Sequence, residues 1–149
     1  MIKPHGSDQL APLFVADSQR RQALQQEAAA LPSITLCSAA AANAVMLAGG
    51  YFNPMQGYMN LADALSVAES MQTTAGLFWP VPIINMVDSA EGLEAGSRVA
   101  LRDPNVAGNP LLAVMTVAAA EPVSEQQMAL MASAIFATND PQHPGVAAF

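Results

Sequence analysis

Reactive side chains are scarce in this chain: two histidines, His5 and His143, and one cysteine, Cys37, stand among 149 residues with five Lys or Arg and twelve Asp or Glu. A transition-metal site wants three or four donors at a usable spacing, and neither histidine is grouped with Asp or Glu in such a pattern. Cys37 and Ser38 lack a nearby base and an acidic orienter, so nucleophilic catalysis finds no support. A lone cysteine also permits no intrachain disulfide, which fits a cytoplasmic setting. The glycines at 49, 50 and 57 form no phosphate-binding loop, because neither a Gly-x-Gly-x-x-Gly nor a Gly-x-x-x-x-Gly-Lys pattern is present and the only lysine is Lys3. Trp79 and Tyr58 could stack a nucleobase, but without cations around them they are expected in the core. His143 stands in Asp140-Pro141-Gln142-His143-Pro144-Gly145, where two prolines fix the backbone and Asp140 can orient the ring or cap a turn. No catalytic, cofactor-binding or metal residue is expected.

The stretch from Gly49 to Met59 has the most unusual local composition. Gly-Gly-Tyr-Phe-Asn-Pro-Met-Gln-Gly-Tyr-Met holds three of the nine glycines and both tyrosines, which predicts a sharply turned, buried corner with packed rings. A chain of this length is expected to be one domain over residues 1–149 with a sizeable core. Hydrophobic residues make up 52% and charged residues only 11%, against roughly a quarter charged in an average soluble protein. No charge occurs between Glu27 and Asp63, and Gln126 to Asn139 is uncharged as well. So large a deficit predicts that part of the surface is covered by another domain or subunit.

A membrane span is not expected, because Pro32, Asn43, Gly49, Gly50 and Pro54 interrupt the uncharged run before it supplies ~18 apolar residues. The polar start, Met1 to Asp8, does not look like a secretory signal. A net charge of −7 argues against nucleic acid, whose phosphates need clustered cations.

Periodicity places the elements. Asp17 or Ser18 should cap a helix to about Ala30 with Leu24, Ala28 and Leu31 inward and Glu27 outward. Ser33 to Leu36 alternates like a short strand. Ser38 should cap a helix over Ala39 to Ala48, ended by a left-handed Gly49. Asn60 with Asp63 predicts a third helix whose face is Leu61, Leu65, Ala68 and Met71. Leu77 to Val87 could lie only at a sheet edge, since Pro80 and Pro82 lack donors. Arg98 to Arg102 and Leu111 to Val117 should pair as strands. Ser124 with Gln127 predicts a capping box for a helix to about Ala137, with a stripe of Met128, Met131, Ala132, Ile135 and Phe136. The opposite face is also uncharged, which predicts cover on both sides. Strands mixed with helices rather than alternating with them favour an α+β fold.

The run Gly50-Tyr51-Phe52-Asn53-Pro54-Met55-Gln56-Gly57-Tyr58-Met59, followed by Ala62-Asp63, resembles the Gly-x-Phe-x-Pro-x-x-Gly-Phe-Met signature in the amino-terminal domain of ATP sulfurylases (sulfate adenylyltransferases). Ile2-Lys3-Pro4-His5-Gly6, Trp79-Pro80-Val81-Pro82-Ile83 and Phe136 to Val146 resemble further segments of that domain in the same order. The resemblance implies a PUA-like pseudo-barrel with peripheral helices. It also implies a family that makes adenylyl sulfate and pyrophosphate from ATP and sulfate with magnesium. In that family the nucleotide and metal belong to a catalytic half with a Gln-x-Arg-Asn-Pro-x-His-x-x-His motif, which has no counterpart here. The implied role is therefore a scaffold, inactive by itself, with the catalytic domain as partner and Asp140 and His143 at an interdomain interface. A free-standing PUA-like module for RNA or a small ligand, and a self-associating domain, are the alternatives.

Overall fold

The computed structural model describes residues 2–147 and 149. Its elements are α1 (Ser18–Ala28), β1 (Ser33–Thr35), α2 (Ser38–Ala48), α3 (Leu61–Ser70), β2 (Arg98–Arg102), β3 (Leu111–Thr116), α4 (Glu125–Phe136) and a short α5 (Pro144–Ala147). The fold is α+β, as the mixed pattern of elements predicts. Contacts divide the chain into two compact units, Met1–Gly57 with Val87–Ala120 and Tyr58–Met86 with Glu121–Phe149.

The first unit is built on a mixed sheet in the order β1-β2-β3. β1 runs parallel to β2, with Ser33 opposite Ala100, and β3 runs antiparallel to β2, with Ala100 opposite Val114. Being the middle strand, β2 buries Val99, Ala100 and Leu101 in succession. Asp17 caps α1, its carboxylate accepting the Arg20 N–H. Glu27, expected outward, is half-buried and pairs with Arg98 of β2, because the last turn of α1 lies in the same unit as a strand that brings a cation to it.

Two expectations about α2 need correction. Its N-cap is Cys37 rather than Ser38, with the thiol sulfur accepting the Ala40 N–H at 3.4 Å. Ser38 is instead the first helical residue, and its hydroxyl donates to Asn105 Oδ1 at 2.6 Å. At the other end Gly49 keeps a right-handed φ of −73°, and the left-handed residue is Gly50 at +77°. The Tyr51 N–H donates to the Met46 carbonyl and the Gly50 N–H to that of Leu47, a paired closure that puts the glycine requirement one residue later.

In the second unit α3 packs against α4. Asn60 caps α3 by accepting the Asp63 N–H at 2.7 Å, and a Glu121 carboxylate oxygen accepts the Leu61 N–H at 2.8 Å, so two side chains satisfy its opening turn. The buried face of α3 is Ala64 and Val67. The stripe expected there is turned partly aside, with Met71 in a left-handed conformation at the C-cap and exposed. For α4 the Ser124–Gln127 capping box forms, and Met131 and Ala132 are its buried residues. Its opposite face is only partly covered: Gln126 and Ser133 are exposed while Leu130 and Ala134 are half-buried.

Residues 77–87 form no strand. A single bridge joins Gln72 to Phe78, and the prolines at 80 and 82 remove the donors that a ladder would use. The segment is nevertheless core, with Trp79 and Ile83 buried and the Ile83 carbonyl accepting the Met59 N–H at 2.8 Å.

Candidate functional site

The glycine-aromatic stretch falls across the boundary of the two units. Its first part, through Gly57, wraps the amino-terminal arm. Asn53 is buried, its Oδ1 accepting the Ala11 N–H at 3.2 Å and its Nδ2 donating to the His5 carbonyl at 3.2 Å and to Ser7 Oγ at 2.6 Å. Further along the arm, the N–H groups of Leu13 and Phe14 both donate to the Ala48 carbonyl. A Cβ on Gly50 would come within 3.3 Å of the Pro12 backbone, so that residue is held to glycine by close approach as well as by its positive φ. The arm is thus a strap tied to the corner by one buried amide and one helix end.

Not all of the rings expected inside are inside. Tyr51 is 76% exposed, its ring lying back over Gly49 so that a Cβ there would meet Cδ2 at 2.8 Å. Tyr58 is half-buried and Trp79 buried, so Trp79 offers no open face for a base.

Asp140 and His143 come together in a packed turn of the second unit. The Asp140 carboxylate accepts the Gln142 N–H at 2.9 Å and its carbonyl accepts the His143 N–H at 2.9 Å, so Asp140 caps the turn. The His143 ring lies 5.6 Å from that of Phe136, and its Nδ1 accepts the Gly145 N–H at 3.2 Å. A Cβ on Gly145 would fall 2.6 Å from the Phe136 ring. Phe149 meets the same ring edge-on at 5.9 Å. These contacts fasten the turn and α5 to the end of α4.

The cations are dispersed. Lys3 pairs with Asp8 and Arg98 with Glu27, while Arg21 donates to the Val15 carbonyl and Arg102 to Ser33 Oγ. Four of the five Lys and Arg therefore have local partners. Among the described residues no three His, Cys, Asp or Glu gather to hold a metal ion. Cys37 serves as a helix cap. No described helix is long and apolar enough to cross a membrane.

Sequence reasoning placed Asn53 and Tyr51 in the corner but missed the long-range partners of the one and the exposure of the other. Asn53 reads locally as an Asn-Pro turn, and its partners lie 42 to 48 positions away, beyond any local pattern. Tyr51 carries the one available signal, a preceding Gly-Gly pair with no side chain for the ring to avoid.

A family profile for the PUA-like domain matches residues 2–149. The chain is 55% identical over its full 149 residues to a sulfate adenylyltransferase of Alcanivorax borkumensis and 56% identical to one of Allochromatium vinosum. It spans 37% and 38% of those proteins, little more than a third of their length. Among solved structures, the hexameric APS kinase from Thiobacillus denitrificans is similar over 78% of this chain and 23% of that one, with a TM-score of 0.62 at 33% identity. The chain belongs to the PUA-like domain family and is similar along its whole length to a portion of sulfate adenylyltransferases.

Proposed function

We propose that the chain is a non-catalytic scaffold and interface portion of a sulfate adenylyltransferase, in which ATP and sulfate are converted to adenylyl sulfate and pyrophosphate by another portion of the enzyme. One observation carries this: similarity at 55% and 56% identity runs through all 149 residues yet accounts for only 37% and 38% of the relatives. The electrostatics agree. Binding a nucleotide triphosphate and sulfate requires converging cations or a metal, whereas this chain has five Lys or Arg in all and two of them, Lys3 and Arg98, are paired with carboxylates. The 149 residues act as one PUA-like domain in cytoplasmic sulfur metabolism, and ATP and magnesium are held elsewhere in the enzyme. The Asp140–His143 turn, exposed and fastened to α4 through Phe136, presents a rigid edge suited to an interdomain contact.

The test is to supply the purified chain with adenylyl sulfate and pyrophosphate and follow ATP formation. The expected rate is that of buffer; turnover proportional to chain concentration overturns the proposal.

A further inference from the structure

Six exposed apolar side chains gather around the carboxy-terminal end of α2. Phe14, Val45 and Tyr51 are 59%, 55% and 76% exposed, and Leu10, Leu13 and Met46 accompany them. Their proximity follows from the backbone. Leu13 and Phe14 both donate to the Ala48 carbonyl, Tyr51 to that of Met46, and Leu10 Cδ1 would lie 3.4 Å from a Cβ on Gly50. Val45 and Met46 occupy the turn that these bonds close. With aromatic side chains of about 150 to 250 Å² each, the face is on the order of several hundred Å², the upper range of what a monomer leaves bare.

No Asp, Glu, Lys or Arg occurs from Ala28 to Ala62, so the α2 side of the face brings no charge with which to steer or select a transient partner, and on the arm side the Arg21 guanidinium is turned to the Val15 carbonyl. Faces of this composition match permanent interfaces, which resemble a domain core cut in half. Two occupants fit that chemistry, a second copy or a permanently attached partner. Copies of this chain each carry −7 and repel one another. In both Alcanivorax borkumensis and Allochromatium vinosum the matched stretch is joined to more than one and a half times its own length of further polypeptide, and a tethered partner acts at an effective concentration on the order of millimolar.

We infer that the arm and the end of α2 form the seat for the remaining, larger portion of a sulfate adenylyltransferase polypeptide. The inference rests on the function proposed above and adds to it the surface. It differs from the Asp140–His143 edge, which belongs to the second unit.

The experiment compares amide hydrogen exchange in this chain alone and in a full-length graft, with these 149 residues replacing the matched stretch of the Alcanivorax borkumensis enzyme. Exchange of residues 10–14 and 43–51 is expected to slow at least ~tenfold in the graft, while the exposed face of α1 is unchanged. Phe14→Lys with Val45→Lys should abolish that slowing and leave the melt of the chain alone unaltered, since both sites are solvent-facing. A graft that turns over adenylyl sulfate with no slowing at the face overturns the assignment and leaves the proposed function standing. A folded graft without turnover contradicts the proposed function itself. Slowing in the chain alone that grows with concentration, with a doubled mass in sedimentation, gives the face to a second copy and overturns the assignment.

Discussion

Asn53→Ala isolates the buried amide that ties the arm to the corner. The native side chain accepts from Ala11 and donates to the His5 carbonyl and Ser7 Oγ. Each hydrogen bond contributes about 0.5 to 1.5 kcal/mol net, and all three of these bonds are part-buried. The expected loss is about 2 kcal/mol, roughly a thirtyfold change in the opening equilibrium. For a chain of this size that lowers the midpoint of melting by about 4 to 8 °C. The best assay is site-resolved hydrogen exchange of the Ala11, Leu13 and Phe14 amides, since it reads the arm directly. Fluorescence of the single tryptophan does not, because Trp79 belongs to the second unit. Acceleration should be largest at Ala11, which loses its acceptor, and present at Leu13 and Phe14, whose acceptor at Ala48 is intact. Unchanged exchange at Ala11, with stability within about 0.5 kcal/mol of the parent, refutes the strap.

Gly50→Ala should cost about 1 to 2 kcal/mol, because its φ is +77° and the new methyl meets the Pro12 backbone; Gly57→Ala, with open space around it, is the near-neutral control in urea melts. Met131→Ala removes a side chain 1% exposed and should cost about 2 to 5 kcal/mol, read by Trp79 fluorescence in the same unit. At low salt the chain should bind single-stranded RNA no more tightly than the ~micromolar nonspecific range; a tighter constant in filter binding would restore the free-standing nucleic-acid module.

Local chemistry was legible wherever partners lie within a turn of one another. The Ser124–Gln127 box, the Asn60 cap and the Asp17 cap each rest on residues three apart, and the β2–β3 pairing follows from two short apolar runs around a polar turn. What failed depended on distant packing. The faces of α3 and the outward placement of Glu27 were decided by elements far along the chain, and periodicity alone carries no information about them. Helix α2 is the instructive case. The sequence points to Ser38 as the cap and Gly49 as the left-handed stop, and the structure uses Cys37 and Gly50, one residue away at each end. The charge gap between Glu27 and Asp63 takes in Val45, Met46 and Tyr51, three of the exposed apolar side chains around the end of that helix. The Asp140–His143 turn was recognisable as a turn from its prolines, but its attachment to Phe136 was not.

The most direct test of the central claim is adenylyl sulfate turnover by the full-length graft beside the isolated chain, in the presence of ATP, sulfate and magnesium. Turnover in the graft with none in the 149 residues alone is the predicted result. Turnover by the isolated chain, or a folded graft that remains inactive, would contradict a scaffold role for this chain in a sulfate adenylyltransferase.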